Sequence, residues 1–203
     1  MKLPIIVYGA SGAGASMLIW IIKRLRDTDY DVDDPLDNLG TAHNQPLLVH
    51  WFGNDKDFDA FKNEPEREQV VHAGLNSRTV KKLGDYCSFS IYFEDEDDVN
   101  QTAVLCYHKI PWFQEQFPNN TFDEIVKHLM HHNELSYLTY DNCCNISLKT
   151  MLYGPIESLI ELVGQHLNID TQLSNNNYKL ICNVVQKWRE GNNQIFKKGI
   201  HGL

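Results

Sequence analysis

The chain has little positive charge. Its 18 lysine and arginine residues are outnumbered by 27 aspartate and glutamate residues, which gives a formal net charge of −9 at pH 7. Proteins that coat nucleic acid or an anionic membrane need a basic face. We therefore expect no nucleic-acid partner and no membrane partner, although the balance leaves room for a local basic cleft.

Long apolar runs and paired cysteines are also missing. The longest apolar stretch near the start, Met17 to Ile22, is far shorter than the ~20 residues that a membrane span needs. No signal peptide is recognisable. The five cysteines are irregularly spaced and include no Cys-x-x-Cys pair, so we expect no structural zinc site and no other metal. Together these features predict a cytoplasmic protein with reduced thiols.

The length of 203 residues predicts one domain, 1–203, with a helical C-terminal segment at about 155–203. Apolar runs predict strands at 3–8, 46–52, 69–73 and 87–93, and a short strand at 143–147. Helical patterns cover 17–25, 56–63, 77–83, 97–109, 122–132, 155–167 and 175–190. This alternation predicts an α/β fold, a three-layer parallel sheet of about 4–5 strands flanked by helices.

A run of small residues separates the first predicted strand from the first predicted helix. It consists of Gly9, Ala10, Ser11, Gly12, Ala13, Gly14, Ala15 and Ser16. In this context glycines let backbone amides turn toward an anion, and the helix N-terminus adds its dipole. The pattern Gly-x-x-x-x-Gly-x-Ser matches a P-loop at both glycines and at the hydroxyl. We therefore predict a site for a small-molecule nucleotide or another anion; the alternative is a tight turn that binds nothing.

Ala15 departs from the P-loop pattern, because a lysine belongs at that position. Without the lysine, charge that develops on a transferred phosphoryl group lacks its nearest cation. Ordinary hydrolysis of ATP or GTP is therefore not expected. Arg78, Lys81 and Lys82 are candidates to supply positive charge from another element; the alternative is a solvated helix face.

Three segments of the chain resemble the sulfotransferases. They are 9–18 with the glycine loop, 90–99 with Asp95, Asp98 and Val99, and 146–169 around Pro155. The resemblance implies a P-loop NTPase-like fold that works without nucleotide hydrolysis. It also implies a donor on the Gly9–Ser16 loop, either PAPS (3′-phosphoadenylyl sulfate) or another phosphorylated nucleotide. Thr102 stands where the family has a serine, which places it among the expected donor-binding residues.

The chain also departs from the sulfotransferase pattern. Its loop carries no lysine or arginine, and Glu94 stands where the family has the arginine that holds the donor's 3′-phosphate. A carboxylate there should repel that phosphate by about 1 kcal/mol or more. The resemblance therefore supports the fold more than the donor. The pattern is also similar to small sulfotransferase-like proteins carried by bacteriophages, which would place the chain in a host cytoplasm.

A transfer reaction needs a base close to the loop. Ligands of parallel α/β proteins lie outside the carboxyl ends of the strands. His50 ends the predicted second strand and Asp55 follows it, so these two residues are the predicted catalytic groups. His72 in the third strand is a further candidate. For His50 the alternative is a packed strand residue without a catalytic role.

Two other polar clusters have simpler interpretations. His128, His131 and His132 lack the intervening carboxylate of a zinc-protease motif and are interpreted as a surface cluster. The acidic run at 94–98 suits a helix N-terminus, where the helix dipole favours anions.

Three functions remain open from the sequence. The first is a sulfotransferase-like transferase, and the second is a non-catalytic interaction or phosphate-ligand-binding protein. The third, a nucleotide or nucleoside kinase, ranks last because the five arginines do not cluster into a lid. The sequence leaves the acceptor and the oligomeric state undetermined.

Overall fold

The computed structural model describes residues 3–10, 12–27, 30, 34–36, 70–73, 85–109, 121–136, 142–169, 171 and 175–198. These residues form four strands and six helices. The strands are β1 (Ile5–Tyr8), β2 (Val70–Ala73), β3 (Cys87–Tyr92) and β4 (Cys143–Ser147). The helices are α1 (Ala15–Arg26), α2 (Glu96–Lys109), α3 (Phe122–Ser136), α4 (Leu148–Tyr153), α5 (Ile156–Leu167) and α6 (Asn175–Lys198). The predicted strand 46–52 and helices 56–63 and 77–83 lie outside the described residues.

The four strands form one parallel sheet in the order β2-β1-β3-β4. All four residues of β1 are buried, as expected of a central parallel strand that is apolar on both faces. In the register Tyr8 lies opposite Ser90, and Tyr92 lies opposite Ser147. The carboxyl ends of β1, β3 and β4 therefore meet at one edge of the sheet. The predicted α/β class with a parallel sheet is confirmed.

Helix α1 is buried on all sides, although its last turn carries Lys23, Arg24 and Arg26. Trp20 is the largest of the fully buried side chains. Basic residues in a last turn interact favourably with the negative end of the helix dipole. Arg24 also donates a hydrogen bond to the Tyr30 carbonyl, and the Lys23 ammonium lies 5.5 Å from the centre of the Tyr30 ring. These contacts reduce the cost of burying the charges.

Several helix bounds differ from the prediction. Helix α4 was not predicted; it begins where the Ser147 hydroxyl accepts a hydrogen bond of 3.1 Å from the Thr150 N–H. This N-cap compensates for the weak propensity of a six-residue helix. Helix α6 continues to Lys198 instead of ending at Glu190, because Phe196 beyond Gly191 packs against the hydrophobic core. Helix α3 likewise continues to Ser136 rather than to residue 132.

The helices pack on the sheet and on one another. Helix α1 contacts β1, β2, α5 and α6, while α2 contacts α3 and α6. Among the described residues, no helix is long and apolar enough to cross a membrane. Helices α2, α4 and α6 thereby come close to the loop between β1 and α1, where the candidate site lies.

Candidate functional site

The glycine loop lies at the carboxyl edge of the sheet, between β1 and α1. This is the edge at which parallel α/β proteins bind their ligands. Of the eight predicted binding residues in the loop, the structure describes all but Ser11. Within the loop, the Ala13 N–H donates a hydrogen bond of 3.1 Å to the Ala10 carbonyl and closes a turn.

The loop backbone alternates in handedness. Gly12 and Gly14 have φ angles of 80° and 89°, whereas Ala13 and Ala15 have negative φ. Successive residues of opposite handedness turn their N–H groups toward one side, which creates a concave anion-binding nest. The φ angles of residues 12–15 follow this alternation, although the Ala13 N–H is already used in the turn with the Ala10 carbonyl.

The N-terminus of α1 adds further donors to the loop. The first hydrogen bond of the helix runs from the Leu18 N–H to the Gly14 carbonyl, at 3.0 Å. Gly14 is the N-cap residue and makes no side-chain capping bond. The N–H groups of residues 15–17 precede that first bond and point out of the helix end. These groups are available to an anion, which the positive end of the helix dipole also attracts.

Neighbouring helices approach Gly12 and Gly14 closely. A Cβ atom built on Gly14 would lie 2.9 Å from two carbons of the Trp188 indole, in α6, and 3.5 Å from Cε of Met151. A Cβ built on Gly12 would lie 3.1 Å from Sγ of Cys106 and 3.2 Å from Cγ2 of Thr102, both in α2. Glycine is required at these two positions both by its positive φ and by the lack of space.

The position of the missing lysine is tightly packed. Ala15 is buried, and its Cβ lies 3.4 Å from the place where a Gly9 Cβ would be. Ser16, the matching hydroxyl of the pattern, is 7% exposed. The loop sequence contains backbone donors and the hydroxyls of Ser11 and Ser16, but no lysine or arginine.

Thr102, on α2, lies beside the loop. Its side chain is fully buried, at 0% exposure, and its methyl group lies against Gly12. None of the described residues forms a hydrogen bond with its hydroxyl oxygen Oγ1. A buried hydroxyl without a partner costs free energy, so this atom is a good candidate for a ligand contact.

Asp98 lies one helical turn before Thr102 on the same face of α2. Its Oδ2 accepts a hydrogen bond of 2.8 Å from the Glu94 N–H, and its own N–H donates to Oδ1 of Asp95 at 3.1 Å. The other oxygen, Oδ1, is buried and has no hydrogen-bond donor among the described residues. Burial raises the pKa of Asp98, while the bond from the Glu94 N–H opposes that rise.

Lys149 faces the acidic start of α2. Its ammonium nitrogen lies 2.5 Å from Oδ2 of Asp95 and 3.7 Å from Oε2 of Glu94. The hydrogen bond from Lys149 lowers the pKa of Asp95, and the same bond raises the pKa of Lys149. Lys149, in α4, thus places a positive charge beside the carboxylate of Glu94.

Helices α4 and α6 are held together beside the loop. The buried Arg189 donates from Nε to the Met151 carbonyl at 2.9 Å and from Nη2 to the Thr150 carbonyl at 3.3 Å. Its neighbour Trp188 covers Gly14. Arg189 thereby gives the Met151 carbonyl a donor at the end of α4 and gives the Thr150 carbonyl a second one, beside the Gly154 N–H at 3.2 Å.

Several predicted site residues lie outside the described part of the chain. They are His50, Asp55, Arg78, Lys81 and Lys82. His72 belongs to β2 and pairs with Val7 of β1. His128 and His131 lie on α3, and burial together with the charge of His131 lowers the pKa of His128. In the described residues no group of three or more His, Cys, Asp or Glu side chains could hold a metal ion.

Sequence reasoning overlooked the burial of Asp98, the ion pairs of Lys149 and the contact of Trp188 with Gly14. Asp98 is one of five consecutive acids, and nothing in their order marks it as the buried one. The four-residue spacing from Asp98 to Thr102 was a usable signal, because it places both side chains on one helix face. Lys149 and Trp188 carry no local signal, since their roles depend on contacts with distant segments.

The chain was also compared with known proteins. No protein-family model matches it, and no curated protein matches it significantly. The resemblance to sulfotransferases therefore depends on the three sequence segments quoted above.

Proposed function

We propose that the chain is a sulfotransferase-like transferase that binds a phosphorylated nucleotide donor on the Gly9–Ser16 loop. Under this proposal the sheet and its helices form a three-layer, P-loop-like domain. The observation that carries the proposal is the combination of an anion nest at Gly12–Ala15 with the buried hydroxyl of Thr102, which has no partner among the described residues.

The donors of the loop match the chemistry of a phosphate group. Phosphate oxygens accept hydrogen bonds, and a helix N-terminus such as that of α1 attracts them. Ser16 and Thr102 are candidates to add two buried hydroxyls. A ligand with a terminal phosphate would satisfy donors that otherwise lack a partner.

The proposed transfer step moves a sulfonate group from the donor to an acceptor oxygen. The bond between sulfur and the donor's phosphate oxygen breaks, and a bond between sulfur and the acceptor oxygen forms. The donor leaves as its nucleotide phosphate, and the acceptor's proton passes to a base. His50 and Asp55 are the candidate bases.

A specific observation favours a second candidate, a non-catalytic phosphate-ligand-binding protein. The position of the P-loop lysine holds the buried methyl group of Ala15. The nest can bind a ground-state phosphate through its amides alone, but charge that develops during transfer needs a cation. Arg78, Lys81 or Lys82 would have to supply it in the transferase.

Binding is tested first, by thermal unfolding with phosphate, AMP, adenosine 3′,5′-bisphosphate or ATP with magnesium. A ligand at 100 times its dissociation constant adds about 2.7 kcal/mol, which for a chain of this size raises the Tm by roughly 5–10 °C. We expect such a rise with at least one adenosine 5′-phosphate. If none of the four compounds raises the Tm, the site proposal is wrong.

Matched variants locate the binding. Ser16→Ala and Thr102→Val each remove one hydroxyl and should weaken binding by roughly 2- to 15-fold. Ser158→Ala on the exposed face of α5 is the control and should bind like the wild type. Equal affinity in all four proteins would place the ligand elsewhere.

Turnover is tested with a panel of phenols and alcohols and two radiolabelled donors, PAPS and adenosine 5′-phosphosulfate, which lacks the 3′-phosphate. Transfer of label to any acceptor supports the transferase, and its loss in His50→Ala or Asp55→Ala would identify the base. Nucleotide binding without transfer would favour the second candidate. A Tm rise with ATP and magnesium that disappears in Ser16→Ala would favour a kinase instead.

A further inference from the structure

Two buried acceptor atoms lie on the face of α2 that meets the loop. They are Oδ1 of Asp98, whose residue is 1% exposed, and Oγ1 of Thr102, which is 0% exposed. No described residue forms a hydrogen bond with either atom. A buried carboxylate oxygen is costly unless it accepts a hydrogen bond, so this atom calls for a donor. We refer to these two side chains as the Asp98–Thr102 face.

The face continues directly from the nest. Thr102 contacts Gly12, and Asp98 lies one turn farther along α2, about 5.4 Å in an α-helix. A sugar attached to a phosphate in the nest is long enough to cover this distance. The hydroxyls of that sugar are hydrogen-bond donors of the kind that Asp98 Oδ1 requires.

The charges around the face disfavour a second phosphate. Five consecutive carboxylates lie at the start of α2, those of residues 94–98, and Glu94, Asp95 and Asp98 are linked by hydrogen bonds. Among the described side chains that face them, Lys149 supplies positive charge, and it is already engaged with Asp95 and Glu94. A phosphate placed here would meet net negative charge, whereas a neutral hydroxyl would not.

We propose that the Asp98–Thr102 face binds the ribose hydroxyls of a nucleoside 5′-phosphate and discriminates against a 3′-phosphorylated ribose. This inference rests on the proposed nucleotide site and specifies its ligand. The 5′-phosphate occupies the nest, and Asp98 Oδ1 accepts a hydrogen bond from a ribose hydroxyl. Thr102 can both donate to the ligand and accept from it.

Titration calorimetry with matched ligands tests the proposal. The ligands are AMP, 2′,3′-dideoxyadenosine 5′-monophosphate, adenosine 3′,5′-bisphosphate and inorganic phosphate. The first two differ only in the ribose hydroxyls. We expect the wild type to bind AMP about tenfold or more tightly than the dideoxy compound, and more tightly than the bisphosphate.

The variant Asp98→Asn sharpens the test. Its amide oxygen can still accept from the Glu94 N–H, but its NH₂ group replaces Oδ1 and presents donors to the hydroxyl. The preference for AMP over the dideoxy compound should fall, because a hydroxyl bonds more weakly to a neutral amide than to a carboxylate, while affinity for inorganic phosphate is not reduced. Asp97→Asn is the control, because it removes the same charge from an exposed neighbour and should keep the preference.

The outcomes separate this inference from the proposed function. If the wild type binds both AMP and the dideoxy compound with equal affinity, or prefers the bisphosphate, the inference is wrong and the nucleotide site stands. The inference would also be overturned if Asp98→Asn and Asp97→Asn showed the same preference for AMP over the dideoxy compound. If none of the four ligands binds, both proposals fail. The affinities of the wild type for AMP and for the dideoxy compound test the inference even if Asp98→Asn does not fold.

Discussion

The indole of Trp188 lies directly against Gly14, so that a Cβ on that glycine would be 2.9 Å from two of its ring carbons. This contact joins the last helix to the first loop across 174 residues of sequence. It leaves Gly14 no room for a side chain, at a residue whose φ of 89° already favours glycine. The shape of the nest thus depends on the packing of α6.

Gly14→Ala should therefore destabilise the protein. Left-handed φ costs a non-glycine residue about 1–2 kcal/mol, and overpacking adds about 1–3 kcal/mol. Urea unfolding would measure the loss. Gly9→Ala is the matched control, because its Cβ would meet Ala15 at an ordinary 3.4 Å and its φ is not in the left-handed region. Equal losses for both variants would contradict this view of the contact.

Arg189→Met should lower the free energy of unfolding by about 2–3 kcal/mol, because the Met151 and Thr150 carbonyls lose a charged, largely buried donor. Arg189→Lys should recover only part of the loss, since an ammonium lacks the planar fork of a guanidinium. Lys187→Met is the control; its exposed pair with Asp34 should contribute less than about 1 kcal/mol. The prediction is wrong if the Arg189 and Lys187 variants are equally stable.

The raised pKa of Asp98 predicts a pH dependence. An unfolded aspartate titrates near pH ~3.9, and the folded group titrates at higher pH. Its favourable contribution is therefore present below the unfolded pKa and is lost as pH rises through the folded pKa. Asp98→Asn removes this titration, so the wild type should lose stability relative to the variant as pH increases from 4 toward 7.

Denaturant unfolding of both proteins at several pH values would measure this difference. Asp95, whose pKa is lowered by Lys149, contributes with the opposite sign, but it is present in both proteins and cancels in the comparison. Asp97→Asn again controls for the change in net charge. Parallel pH profiles for the wild type and Asp98→Asn would refute the prediction.

Burial predicts the order in which the cysteines react. It raises the pKa of Cys106 to about 12 and that of Cys87 to about 11, so both are almost entirely protonated at pH 8. Cys182 is only partly buried. A thiol reagent should label Cys182 in the native protein and reach Cys106 only on unfolding, as peptide mass mapping would reveal. Rapid native labelling of Cys106 would contradict the packing of α2 against Gly12.

The first strand, the loop and the first helix could be predicted from local patterns. β1 is a continuous apolar run, and the glycines that follow it permit a backbone that other residues resist. The end of α6 could not be predicted in this way. Gly191 costs roughly 1 kcal/mol in a helix interior, and the packing of Phe196 against the core offsets that cost only in the folded protein.

The candidate site also contains some features that local sequence predicts and others that depend on tertiary contacts. The sequence by itself determined the loop, because glycine spacing between a strand and a helix is a local property, and it brought Thr102 into consideration. Only the tertiary structure distinguished Asp98 from its four acidic neighbours and set Lys149 against Glu94. Burial and ion pairing between distant segments depend on how the sheet edge assembles, and no local pattern encodes that arrangement.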